Sequence, residues 1–143
     1  MTQHKVALVT AAAGAGIGAA VTRRLAADGF DVVVTDAHER RAKELAEELS
    51  GEHGRRFMSV PLDVTDEAAV AAAVEAVVAD RGRLDVLVNN AGWSRIEPVA
   101  EMSLATWQRR LDVDLTGTFL CMRYALPKMI AVGSGATVNI SCI

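Results

Sequence analysis

An α/β fold, a doubly wound parallel sheet in three αβα layers, is what three features of the sequence predict. The run Leu8-Val9-Thr10-Ala11-Ala12-Ala13-Gly14-Ala15-Gly16-Ile17-Gly18 reads as a strand that turns through small residues into a helix. Four further strand candidates follow it, at Val32 to Thr35, Arg56 to Val60, Val86 to Val88 and Ala136 to Ile140. Helical patterns at about 38–49, 66–80 and 103–130 alternate with these strands, which is the order of βαβ units with right-handed crossovers. The 143 residues have the size of one domain, and 51% hydrophobic with 23% charged residues describes a packed core, not a disordered chain.

The elements follow in order. After the small-residue turn, Ile17, Ala20, Val21 and Leu25 mark the apolar side of a first helix, which Gly29 ends. Asp31-Val32-Val33-Val34-Thr35-Asp36 has the continuous apolar run of a parallel strand buried on both faces. The second helix turns Ala42, Leu45, Ala46 and Leu49 inward, with Glu39–Lys43 and Arg40–Glu44 as solvated pairs outside. The third turns Val70, Val74, Val77 and Val78 inward around the helix-favouring Ala71-Ala72-Ala73, and Gly82 stops it. Ser103 caps the last helix, whose Trp107, Leu111, Leu115, Phe119 and Met122 form a stripe, and Pro127 weakens its end. Such a stripe suits either a core or a partner subunit, so a homo-oligomer formed through the 103–130 helix is expected.

The turn and the acid eighteen residues after Gly18 carry the first chemical reading. A pyrophosphate needs backbone amides close to it, small residues at 11 to 16 permit the approach, and a helix beginning near Gly16 aims free N–H groups at the negative charge. Asp36, closing the second strand, stands where a carboxylate accepts both hydroxyls of an adenosine ribose. A phosphate on that ribose would face the carboxylate, so the dinucleotide expected is NAD before NADP, although His38, Arg40 and Arg41 offer basic groups that offset the repulsion. Asp63-Val64 follows the third strand and suits the amino group and ring of adenine; a loop aspartate that starts the helix at Thr65 or Asp66 fits the same residues. Asn89-Asn90-Ala91-Gly92 follows the fourth strand, where amides tie neighbouring strands and small residues leave the ribose side open. Trp93 covers the nicotinamide or a substrate, or simply packs.

Net charge is −3 and no basic stripe runs along the chain, which argues against a nucleic-acid partner. Cys121 and Cys142 have no C-x-x-C spacing and the three histidines are scattered, so a reduced cytoplasm and no metal are expected. Lys5 followed by the uncharged stretch from Val6 to Thr22 looks superficially like a signal peptide. Three glycines interrupt that stretch and it runs into a charged helix, so neither secretion nor a membrane span is expected.

Taken together, the glycine turn, Asp36, Asp63-Val64, Asn89-Asn90-Ala91-Gly92, Leu115-Thr116-Gly117-Thr118-Phe119 and Val138-Asn139-Ile140-Ser141 resemble the short-chain dehydrogenase/reductase family along the whole chain. The resemblance implies a Rossmann-like NAD(P)-binding domain over 1–143. Its cofactor-binding residues would be Thr10, Ala12, Gly14, Gly16, Ile17, Gly18, Asp36, Asp63, Val64, Asn90, Ala91 and Gly92. It implies hydride transfer between a small alcohol and a ketone. The family's helix asparagine falls on Asp114 and its serine on Cys142, with Ser141 available only if the strand slips by one residue; these three are the catalytic candidates. The glycine turn is one residue longer than the family's if Thr10 is kept in place. Tyr124 and Lys128 have the family's Tyr-x-x-x-Lys spacing but precede the last strand, so that segment is expected to be absent and the fold truncated after the fifth strand. The chain by itself is accordingly expected to be inactive, with a non-catalytic dinucleotide-binding or protein-interaction module as the alternative.

Overall fold

The computed structural model describes residues 4–141. Five parallel strands form one sheet: β1 (Val6–Val9), β2 (Asp31–Asp36), β3 (Met58–Pro61), β4 (Val86–Asn89) and β5 (Ala136–Asn139). Their order is β3-β2-β1-β4-β5, so the chain reverses its direction of travel across the sheet between β1 and β4. Leu8 pairs with Val33 on one side and Leu87 on the other, which sets the register of the central three strands. Such a reversal opens a crevice beyond the carboxyl ends of the two strands.

Alternation along the strands feeds two cores. Val33, Val6 and Leu8 point to one face, where α3 (Glu67–Arg81) and α5 (Gly117–Ala131) cover them with Val70, Val74, Val77, Leu120 and Ala125. Val32, Val34 and Val9 point to the other, under α1 (Ile17–Ala27) and α2 (Glu39–His53). The expectation of a fold truncated after its fifth strand is corrected: five strands with helices on both faces build the αβα layers, with a core on each side of the sheet. All four residues of β5 are exposed.

Two helices differ from their patterns. On α1 the fully buried residues are Gly18, Ala19, Thr22 and Ala26; of the expected face, Val21 and Leu25 pack half-buried against the core while Ile17 and Ala20 are exposed, because the start of the helix lies so close to the strand ends that only small side chains fit beneath it. The 103–130 helix is three segments: α4 (Leu104–Arg110), a wider π-helical stretch over Leu111–Thr116, and α5. Of its stripe, Trp107, Leu115 and Phe119 face outward, each more than half exposed, while Leu111 and Met122 are half-buried with Met122 against the core, to which Leu120, Cys121, Ala125 and Met129 contribute. The solvated pairs on α2 are Arg40–Glu44 and Lys43–Glu47, in place of Glu39–Lys43.

Candidate functional site

The crevice is held open by hydrogen bonds between β1 and β4. The Thr10 hydroxyl accepts the backbone N–H groups of Asn90 and Ala91, both at 2.9 Å, and the Asn90 side-chain amide donates to the carbonyls of Thr10 at 3.2 Å and Ala11 at 3.1 Å. Ala12 N–H donates to Thr35 O at 2.8 Å, binding the turn to β2. Thr10 and Ala12 are buried, so both shape the turn from beneath; neither side chain is placed to touch a ligand.

Above them the turn is bare. Gly14 takes a left-handed φ of 98°, and nothing lies within 4 Å of where a Cβ would stand at Gly14 or Gly16. Gly16 caps α1 without a side-chain bond, and the first turn of α1 carries no acidic residue, so its dipole end is left to attract an anion. Gly18 is the opposite case: a Cβ there would stand 2.2 Å from Ala11 O and 2.4 Å from the Asn90 amide nitrogen. Ala11 itself holds φ of 46°, a conformation an L-residue adopts at a cost.

Asp36 ends β2 and is buried, its two carboxylate oxygens accepting Ala13 N–H at 3.2 Å and His38 N–H at 2.9 Å. Asp63 accepts from the backbone and hydroxyl of Thr65 at 2.9 and 2.7 Å. Those two bonds, opposed by burial and helped by the nearby Arg109 charge, hold its carboxyl below the usual range. The helix-start role belongs to Asp66, whose side chain caps α3 through Ala69 N–H at 3.1 Å. Val64 is buried, its side chain filling the space that the missing Cβ of Gly117 leaves.

Two hollows meet at Ala91 and Gly92. One, of about 260 Å³, is bounded by Asp36, Asp63, Val64, Trp93, Arg109 and Val113 among others. The second, of about 390 Å³, is bounded by Ile17, Asn90, Asp114, Thr118, Asn139 and Ser141 among others. Asp114 lies in the π-helical stretch, where its carboxylate accepts Trp93 N–H at 2.7 Å and its carbonyl accepts the Thr118 hydroxyl at 3.0 Å. The Arg109 guanidinium lies 5.1 Å from the centre of the Trp93 ring. Nothing in Trp107-Gln108-Arg109 signals that contact, since it depends on how the 93–95 loop meets α4. Cys142 lies outside the described residues. Among the described residues no helix is long and apolar enough to cross a membrane.

The short chain dehydrogenase family model matches residues 5–143. The chain belongs to the short-chain dehydrogenase/reductase family. It is 52% identical over 122 residues to a hexahydroindene-carboxyl-CoA reductase of Mycobacterium tuberculosis, covering 85% of this chain and 47% of that protein. It is 47% identical over 141 residues to cis-4-hydroxycyclohexanecarboxylate dehydrogenase of Sinomonas cyclohexanicum, covering 98% of this chain and 55% of that one. A metagenomic short-chain oxidoreductase crystallised with NADP superposes with a TM-score of 0.89 at 36% identity, over 97% of this chain and 62% of that chain. The chain spans about half the length of the curated relatives it matches.

Family membership brings a dinucleotide cofactor, and the bare Gly14–Gly16 turn with the open start of α1 fits a diphosphate. The match over residues 5–143 bears equally against a truncated fold. Relatives that are a reductase and a dehydrogenase overturn both the inactive chain and the non-catalytic module. The expected absence of a Tyr-x-x-x-Lys segment is corrected too, since Tyr124 and Lys128 carry that spacing on α5. The Tyr124 hydroxyl donates to Glu67 at 2.8 Å and Lys128 Nζ pairs with Glu75 at 2.6 Å, both partners on α3. The Glu67 bond pushes the Tyr124 phenol above its ordinary value.

Proposed function

We propose that this chain serves NAD(P)-dependent hydride transfer between an alcohol and a ketone, with residues 1–143 as the dinucleotide-binding unit and NAD as the preferred cofactor. The observation that carries the preference is the buried Asp36 carboxylate at the end of β2, held toward the turn by Ala13 N–H. Two unit charges about 4 Å apart near a protein surface repel by roughly 4 kcal/mol, enough to disfavour a second phosphate on the ribose. Gly14, Gly16, Ile17 and Gly18 shape the diphosphate end, Asp36, Asp63 and Val64 the adenosine end, and Asn90, Ala91 and Gly92 the join between the two hollows. Thr10 and Ala12 support the turn.

A bound nicotinamide would accept the hydride from an alcohol or return it to a ketone. At that end Asp114 fixes the loop at Trp93, and Ser141 faces the same hollow as Asn90. We assign Asp114, Ser141 and Cys142 to the reacting end, where an ionised Asp114 accepts hydrogen bonds but donates none. The names of the Mycobacterium tuberculosis and Sinomonas cyclohexanicum relatives carry ring-bearing hydroxy acids or a CoA thioester of one, so a cyclic secondary alcohol is the substrate class to try first. The outward stripe of Trp107, Leu115 and Phe119 supports a homo-oligomer through this helix.

Calorimetric titration with NAD and NADP, on wild type and Asp36→Ala, tests the reading. Wild type binds NAD more tightly than NADP, and Asp36→Ala narrows or reverses the difference. A folded chain that binds neither dinucleotide refutes it.

A further inference from the structure

Asp63 and Arg109 border the same hollow at the adenosine end, beside Val64 and Trp93. Each meets it with bonding capacity unused. Both Thr65 bonds to Asp63 fall on one carboxylate oxygen, and among the described residues the other oxygen accepts none. Arg109, in the last turn of α4, makes no hydrogen bond or ion pair among the described residues, so its whole fork of N–H donors is available. What holds it is an aromatic face, since its guanidinium lies 5.1 Å from the centre of the Trp93 ring. Trp93 is anchored separately, its N–H donating to Asp114 at 2.7 Å. The Arg109 charge reaches Asp63 and helps keep that carboxyl ionised, yet the two groups do not pair. Between them the hollow has an acceptor on one side and a donor on the other. A neutral ligand suits such a gap when a donor and an acceptor sit next to each other on its edge. Adenine has that edge, an amino group beside a bare ring nitrogen, whereas hypoxanthine reverses it with a carbonyl beside a ring N–H.

Resting on the assignment of Asp63 to the adenine, we propose that Arg109 determines base specificity, donating to the ring nitrogen while Asp63 accepts the neighbouring amino group. Trp93 is a positioning residue that acts through Arg109 by holding its guanidinium over the indole. The chain thereby rejects a dinucleotide whose base is hypoxanthine, because its carbonyl faces Asp63 and its ring N–H faces Arg109.

The test is calorimetric titration of the folded chain with NAD and with nicotinamide hypoxanthine dinucleotide, for wild type, Arg109→Ala, Arg109→Lys, Trp93→Ala and Trp93→Phe. Wild type prefers NAD about a hundredfold, roughly tenfold for each reversed hydrogen-bond partner. Arg109→Ala lowers that preference about tenfold, and Arg109→Lys recovers part of it, since an ammonium neither forks nor lies flat on a ring. Trp93→Ala lowers the preference in the same direction and Trp93→Phe restores most of it, a pattern that packing alone does not produce. Arg109 is exposed, so circular dichroism of its variants matches wild type. If NAD binds but wild type does not discriminate, or if Arg109→Ala leaves the preference unchanged or weakens both dinucleotides equally, the base-reading role falls and the dinucleotide assignment stands. If the folded wild type binds neither, both fall together.

Discussion

Gly16 and Gly18 stand two residues apart at the start of α1, yet the structure assigns opposite penalties to a methyl group at each. A Cβ on Gly18 would lie 2.2 Å from Ala11 O and 2.4 Å from the Asn90 amide nitrogen, where ordinary contact begins at 3.4 Å. Both obstacles are held in place, the first by the turn and the second by its own bonds to Thr10 O and Ala11 O. Relief needs a shift of roughly 1 Å, which breaks those two bonds at about 1 kcal/mol each and adds overpacking of about 1–3 kcal/mol. The gain in helix propensity returns at most about 1 kcal/mol. Gly18→Ala is therefore destabilised by about 2–4 kcal/mol, or roughly 10 °C in Tm for a chain of this size. Gly16 has φ of −94° and ψ of −168°, which any residue adopts, and open space at its Cβ position. Gly16→Ala keeps its stability within about 0.5 kcal/mol but raises the NAD Kd roughly tenfold, because the methyl group stands where a diphosphate must approach. Urea unfolding followed by circular dichroism, with NAD titration on the same samples, reads both quantities. A Gly18→Ala protein as stable as wild type, or a Gly16→Ala protein that loses stability and retains binding, would refute this account of the turn.

Three further outcomes are expected. Ala11→Gly relieves the left-handed backbone at Ala11 and raises stability by about 1 kcal/mol in urea unfolding, since glycine adopts that φ without strain. Burial works to raise the carboxyl of Asp85, but hydrogen bonds from Arg83 and Val6 N–H outweigh it and hold the group below its ordinary value. A depressed carboxyl contributes stability above its unfolded pKa of about 3.9, and the contribution is lost as pH falls through the lower folded value. Asp85→Asn should consequently be less stable than wild type near neutrality, with the gap closing as urea midpoints are taken below about pH 4. Tyr124 is the single tyrosine, so its ionisation is readable by ultraviolet absorbance. Its phenol titrates above the usual value, and Glu67→Gln brings it down, unless the hydrogen bond at 2.8 Å is not kept in solution.

The places of Asp36 and the glycines in the fold were legible because they follow from local rules: an acid closing an apolar strand, and small residues at a strand-to-helix turn. The inward faces of α2 matched their pattern residue for residue, since Ala42, Leu45, Ala46 and Leu49 recur at helical spacing and nothing else competes for that face. The same periodicity held only in part on α1, where Val21 and Leu25 pack against the core but Ile17 does not, and on the 103–130 helix, where Met122 packs inward but Trp107, Leu115 and Phe119 do not. A pattern reports which side of a helix is apolar, but not how near the helix lies to the sheet, and proximity is what selects Ala19 and Thr22 over Ile17. In the last helix two apolar surfaces exist, and only packing against α3 decides that Leu120 and Met129 face inward while Phe119 faces out.

By itself the sequence determined the α/β class, the alternation of strands and helices, the family, and the turn and acid that suit a dinucleotide, because each depends on residues near one another along the chain. Tertiary structure decided the strand order, the Thr10 hydroxyl that joins the ends of β1 and β4, the tie from Asp114 to Trp93 and the Arg109 contact over that ring. Those facts join residues from different elements, and hydrogen-bond and charge pairing act over distances in space that sequence separation does not encode.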